Sequence, residues 1–216
     1  MRETIIATNS ASFRSGEMVS EVGHRERVLN TLYYIPPENK CVEVMSDGYT
    51  SPALVSFLVA QMEKVGLRPM VVGNPSTGLI FPRLFGAMKR EALKVLSEGV
   101  AKPEEIDLLF KDFFGAKKGV CQKMDEVGLD TIAQSERHFL AGERGEDVDG
   151  EGIFLGKRPE YLRWLEENYV ARGKLGEKSG EGLLVKTGIL VDEADLEKEL
   201  PGQKVWQEHA VDLSGV

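Results

Sequence analysis

The chain has 216 residues, of which 42% are hydrophobic and 29% charged, with a formal net charge of −8 and a pI near 5.1. That composition suits one or two small globular domains. The acidic balance argues against a general nucleic-acid binder, which needs a basic face, and against an anionic membrane surface. No apolar run approaches the roughly 18–20 residues of a membrane span, and MRETIIATNS lacks a signal-peptide core.

In chain order, TIIAT (4–8) reads as a buried strand, and FRSGEMVSEV (13–22) as a short helix after it. RVLNTLYYI (27–35) and KCVEVM (40–45) are strands, the first stopped by Pro36-Pro37. Ser51 is placed to cap a helix with Pro52 at its first position, and Gly66 ends it. RPMVVG (68–73) is a further short strand. Three or four strands make a thin sheet, which either another chain completes or the helices support.

After residue 77 the texture is helical. GLIFPRLFGAMKREALKVLSEG predicts a helix with an apolar face of Leu79, Phe81, Leu84, Phe85, Met88, Leu93 and Leu96. Pro82 fits only the first turn, so this helix begins at about residues 78–81, with Ser76 and Thr77 as caps. Pro103 opens the next helix, with Glu104 and Glu105 at its positive end. QKMDEVGLDTIAQSERHFL is one helix or two, broken near Gly128, and RPEYLRWLEENYVARG is a helix stopped by Gly173. The stretch 142–152 and LGEKSGEGL read as loops, and 186–216 as an irregular extension or an extra helix.

Cys41 and Cys121 give no disulfide framework and read as packed thiols in a reducing cytoplasm. His24, His138 and His209 are too scattered for a metal site. No G-x-S-x-G, HExxH or zinc-ligand cluster occurs.

The runs RVLNTLYYIPP…VEVMSDGYT, GLRPMVV, STGLIFPRLFGAMKREALKVLSEGV, MDEVGLD and GKLGEKSGEGL occur in an order that resembles the 3-hydroxyacyl-CoA dehydrogenases, most of all fungal secondary-metabolism-type members, over residues 3–185. The resemblance implies an α/β remnant of a Rossmann domain (1–74), an all-α 6-phosphogluconate-dehydrogenase C-terminal-like dimerisation domain (75–185) and an extension (186–216). The dinucleotide fingerprint G-x-G-x-x-G is not among these residues. The resemblance therefore places the pyrophosphate site, the adenosine site and much of the acyl-CoA site in a part of the family domain preceding residue 1.

The same resemblance puts Leu32 where the family has its histidine base, Glu43 where it has the partner of that histidine, Ala11 at a substrate-binding serine and Pro82 at an active-site asparagine followed by Arg83. Ile35 fills a slot that is often apolar in the fungal members. A leucine accepts no proton. Loss of these polar groups implies a cleft suited to an apolar guest, with Glu43 the candidate catalytic group. Beside Leu32 a buried Glu43 is expected to have a raised pKa and to act as acid or base; the alternative is a partly exposed glutamate bonded to backbone or to Arg83.

Leu32, Tyr34, Pro82 and Arg83 are candidate substrate contacts, with Asn9 and Ser12 on a strand-to-helix turn that either lines the site or caps a helix. Only one of Tyr33 and Tyr34 can face the cleft. Arg83, Lys89 and Arg90 could bind an anion or form a solvated face with Glu91 and Glu98. Trp164 and Tyr161 read as core, and Asp125 as a cap or surface residue.

The functional expectation is a redox-inactive, cofactor-free homodimeric enzyme. It would hold a hydrophobic polyketide- or acyl-like molecule for cyclisation, isomerisation, dehydration or a pericyclic step, with positioning supplying much of the catalysis. The alternatives are an NAD-dependent dehydrogenase-type fragment of fatty acid metabolism and a non-catalytic dimerisation or binding subunit.

Overall fold

The structure, a computed structural model, describes residues 4–34, 39–144 and 158–185. Its contacts divide the chain into two compact units, Met1–Glu91 with Gln134–Arg158, and Ala92–Ala133 with Pro159–Val216.

The first unit is built on a four-stranded sheet in the order β1 (Ile6–Thr8), β2 (Val28–Tyr33), β3 (Cys41–Met45), β4 (Arg68–Val71). β1 pairs with β2 and β3 with β4 in parallel, while β2 and β3 are antiparallel. The short helix α1 (Ser15–Met18) lies between β1 and β2 in the chain, and α2 (Pro52–Lys64) between β3 and β4. Alternation along the strands sends side chains to opposite faces. Leu29, Val42 and Val44 point to one face, where Leu54, Val55, Leu58 and Met62 of α2 cover them. Each such side chain contributes roughly 1.5–3 kcal/mol when fully buried. The other face carries Asn30, Leu32, Glu43 and Met45, paired across the strands as Asn30 with Met45 and Leu32 with Glu43.

α2 starts at Pro52 and stops just before Gly66, whose φ is +79°. Ser51 sits at the cap position, but its side chain makes no capping bond; its carbonyl accepts the Leu54 and Val55 N–H groups instead. Asn30 is fully buried and fixes the turn after β1. Its Oδ1 accepts the Ser15 N–H at 2.7 Å, and its Nδ2 donates to the Ser10 and Phe13 carbonyls.

The helices that follow are α3 (Phe81–Ser97), α4 (Pro103–Phe114), α5 (Val120–Val127), α6 (Leu129–Arg144) and α7 (Glu160–Asn168). Pro82 lies in the first turn of α3, and Gly128 (φ +99°) separates α5 from α6. The expected apolar face of α3 divides: Leu93 and Leu96 are buried, while Phe81, Leu84 and Met88 are exposed. The expected solvated basic face is corrected. Lys89 is only 4% exposed; its Nζ lies 3.0 Å from Ser135 Oγ and 3.2 Å from Glu136 Oε1, and Arg90 Nε donates to Glu136 Oε2 at 2.9 Å. A fully buried carboxylate on α6 gathers these cations, since an unpaired charge there would cost several kcal/mol.

In the second unit two buried aspartates organise backbone. Asp107 on α4 accepts the Cys121 and Gln122 N–H groups at the start of α5 at 2.7 and 2.8 Å. Asp125, expected as a cap or a surface residue, is neither: it is buried within α5 and accepts the N–H groups of Leu183, Leu184 and Val185. Tyr161 is buried as expected, and Trp164 rests at 5.2 Å from the Tyr169 ring. The expectations for Ile35, most of the 142–152 loop and the 186–216 extension fall outside the described residues.

Candidate active site

On the inner face of the sheet, Glu43 is 2% exposed and lies directly across the ladder from Leu32. Its carboxylate takes three donors. The Tyr34 hydroxyl donates to Oε1, the Phe81 N–H to Oε1 at 2.9 Å and the Ile80 N–H to Oε2 at 2.5 Å. Glu43 therefore caps the N-terminus of α3 from a strand, a role expected of Ser76 and Thr77, and its negative charge sits at the positive end of the helix. Arg83 is not its partner; Arg83 Nη1 donates to Ser76 Oγ at 3.1 Å.

The turn that aims these N–H groups is unusual. Leu79, 2% exposed, has a φ of +48°, a left-handed conformation that a bulky residue adopts at a cost. Before it, Gly78 has a φ of +86°, and a Cβ there would come within 2.4 Å of the Phe139 ring.

Leu32 packs with Met45 and Leu79, against Ala11, Tyr34 and Val72. At 5% exposure it is a wall of the protein's own core more than a surface awaiting a guest. Tyr34 is half-buried, and the Phe81 ring meets it edge-on at 5.3 Å. Burial, reinforced by the hydrogen bond to Glu43 and its charge, raises the Tyr34 pKa far above that of an ordinary phenol. Its hydroxyl therefore keeps its proton throughout the neutral range. Tyr33 projects the other way and is exposed.

Of the remaining candidates, Asn9 neither caps a helix nor presents its amide oxygen to a cleft: Oδ1 accepts the Tyr33 N–H at 2.9 Å and so prolongs the β1–β2 pairing. Ser12 contributes its carbonyl to His138 Nε2 at 3.0 Å. Pro82 and exposed Arg83 lie immediately after the capped turn, and Arg83 lines a groove with Ser76 and Leu79. Sequence reasoning missed Asn30 and the Ile80 and Phe81 N–H donors. Asn30 is the one amide side chain in the strand VLNTLY, which was the available signal. Among the described residues no three metal-ligating side chains cluster, and no helix is long and apolar enough to cross a membrane.

Comparison with known proteins decides the family. The profile of the 3-hydroxyacyl-CoA dehydrogenase C-terminal domain matches residues 78–186, and that of the 3-hydroxyacyl-CoA dehydrogenase NAD binding domain matches residues 1–75. The chain belongs to the 3-hydroxyacyl-CoA dehydrogenase family. Its fold is accordingly a Rossmann-like α/β segment followed by the family's helical C-terminal domain.

Relatives include a 3-hydroxyacyl-CoA dehydrogenase-like protein, LAM1, of Cochliobolus heterostrophus, 37% identical over 73% of this chain and 31% of the relative. A probable 3-hydroxybutyryl-CoA dehydrogenase of Bacillus subtilis is 31% identical over 83% of this chain and 58% of the relative. Among solved structures, (S)-3-hydroxybutyryl-CoA dehydrogenase PaaH1 of Ralstonia eutropha superposes with a TM-score of 0.70 at 29% identity, over 84% of this chain and 60% of that one. The chain spans about a third to three-fifths of the length of these relatives.

The cofactor expectation is thereby corrected. A match to the NAD binding domain, together with dehydrogenase relatives, points to NAD, not to a cofactor-free protein. The described residues do not fit its phosphates, however. A pyrophosphate needs free backbone N–H groups on a glycine-rich turn that opens a helix. The turn after β1 spends its donors internally: Ser10 N–H on Thr8 Oγ1, Phe13 N–H on Ser10 Oγ and Ser15 N–H on Asn30 Oδ1. The family's cofactor is NAD, and the phosphate-binding part of its site is not formed by these residues.

Proposed function

We propose that this chain carries the substrate-side portion of an NAD-linked 3-hydroxyacyl-type dehydrogenase whose histidine base has given way to a tyrosine–glutamate relay. The observation that carries this reading is the Tyr34 hydroxyl donated to Glu43 beside Leu32. Glu43 is too enclosed to touch a substrate. Tyr34 is not, and its oxygen retains an accepting lone pair. A substrate hydroxyl hydrogen-bonded to that oxygen gives it a proton as Tyr34 passes its own to Glu43. Tyr34 is neutral before and after, which its raised pKa favours. Tyr34 is then the catalytic residue, and Glu43 the positioning residue and final acceptor. The Ile80 and Phe81 N–H groups fix the Glu43 carboxylate, so the relay needs little reorganisation. Pro82 and Arg83 flank the substrate, with Leu32 as apolar backing, and Asn9 and Ser12 hold the turn at its rim.

The test is turnover of NAD with a 3-hydroxybutyryl thioester by the protein and by Tyr34→Phe. Removing the relay should lower kcat by about 100-fold with KM within about twofold, since the ring's packing survives. An unchanged kcat in Tyr34→Phe refutes the relay.

A second reading is favoured by Leu32. With a core side chain at the base position, the site would hold an acyl- or polyketide-like chain for a non-redox cyclisation, isomerisation or dehydration. Conversion of such a chain to a cyclised, isomerised or dehydrated product with no NADH formed supports it over the first. In either case we propose a homodimer. Exposed Leu109, Phe113 and Phe114 on α4 supply apolar area that a second copy could cover. Light scattering on the purified protein tests this.

A further inference from the structure

A groove of about 630 Å³ opens at the N-terminal end of α3, within the range of small-molecule sites. Its lining is mainly apolar, with Val72, Leu79, Ile80 and Leu84, and its polar side chains are Asn74, Ser76 and Arg83. Among the described residues Arg83 has one hydrogen bond, to Ser76 Oγ, and no carboxylate partner, in a chain of net charge −8. The stem of Arg83 lies against Gly78, where a Cβ would come within 3.2 Å of Arg83 Cγ. The head is thus held by Ser76 and the stem by a glycine whose side chain is absent.

From this geometry we infer that the groove binds an amphiphilic monoanion, an acyl chain ending in a carboxylate, with Arg83 as the recognising cation. Three considerations select that ligand. The N–H groups of Ile80 and Phe81 at the helix terminus are already spent on Glu43, so an anion here cannot rely on them and must be recognised by Arg83. A planar guanidinium matches a carboxylate with two parallel donors. One cation among four apolar walls suits a singly charged head with a chain, and a phosphate without a chain would leave those walls wet. The groove adjoins the relay through Ile80, which lines it and donates to Glu43. As a statement about the substrate, the inference rests on the dehydrogenase reading and names an acyl acid bearing a second functional group within reach of Tyr34. As a binding site it stands without turnover.

The experiment is calorimetric titration of the full chain, without NAD, with decanoate, decanol and inorganic phosphate, repeated for Arg83→Gln and Arg83→Lys. Decanoate should bind about tenfold more tightly than decanol, the scale of one charge-assisted pair, and phosphate should not compete with it. Arg83→Gln should abolish that preference while leaving decanol binding and the melting temperature unchanged. Arg83→Lys should retain part of the preference. Equal binding of decanoate and decanol, displacement of decanoate by phosphate, or full decanoate affinity in Arg83→Gln would each overturn the inference. Because no cofactor is present, such a failure leaves the Tyr34 relay standing, and a failure of turnover leaves the groove standing.

Discussion

Glu43 and Phe81, separated by 38 positions in the chain, are joined by a 2.9 Å hydrogen bond from the Phe81 N–H to Glu43 Oε1. With the Ile80 N–H and the Tyr34 hydroxyl, this contact makes Glu43 the cap of α3 and places it at the end of the proposed relay. Glu43→Leu leaves three partly buried donors without their acceptor, each costing about 1–3 kcal/mol when unpaired and less where water reaches it. We expect a loss of about 3–5 kcal/mol, read as a fall of roughly 10 °C or more in melting temperature. Glu43→Gln keeps one acceptor oxygen and should lose about half as much. A Glu43→Leu protein that melts with the wild type would show that the cap is not formed in solution.

Asp107 predicts a pH dependence. Burial raises its pKa above 3.8, against the opposing bonds from Gln122 and Cys121. A carboxyl raised on folding adds stability below its unfolded value, and that contribution disappears as pH rises through the folded value. Asp107→Asn does not titrate. The advantage of wild type over Asp107→Asn in urea midpoint should therefore be larger near about pH 3 than near about pH 7. A difference that grows with pH would reverse the sign and refute the assignment.

Gly176 has a φ of +88°, and a Cβ there would approach the Asp125 carbonyl oxygen to 2.2 Å. Gly176→Ala therefore meets both backbone strain and a collision with main chain, which has no flexible end to yield. We expect a loss of about 2–4 kcal/mol. Gly173→Ala, also at positive φ but with open space, should cost about 1 kcal/mol. Chemical denaturation of the two variants gives the comparison, and equal losses would argue against the close approach.

Cys121 is fully buried, and burial, followed by the neighbouring Asp107, pushes its pKa well above the ordinary thiol value. Reactivity follows the thiolate. Iodoacetamide at mildly alkaline pH should label partly exposed Cys41 and reach Cys121 only after unfolding. Mass spectrometry of the native protein showing Cys121 modified first would contradict this packing.

Local chemistry carried much of the fold. Pro52 and Gly66 bound α2, Pro82 confines the start of α3 and Gly128 divides two helices, because each of these residues restricts φ or tolerates a positive value where the chain needs it. What sequence could not show were partners far apart in the chain. Lys89 reads as solvated on a helical wheel, yet Glu136, 47 positions away, draws it inside. Asp125 is an ordinary helix residue until three N–H groups beyond residue 182 converge on it. The antiparallel step between β2 and β3 left no mark in their apolar patterns, which serve either direction equally. At the site, strand alternation and pairing put Leu32, Tyr34 and Glu43 on one face, but the donors around Glu43 come from a turn whose left-handed leucine no pattern announces.

The double duty of Glu43 limits how this site can be altered. Installing a histidine at Leu32, where the resemblance places the family's base, would bring an imidazole to an acceptor already shared among a phenol and two amides. Room on that oxygen pair has to be found first, and Tyr34→Phe is the substitution that vacates it without loosening the first turn of the long helix.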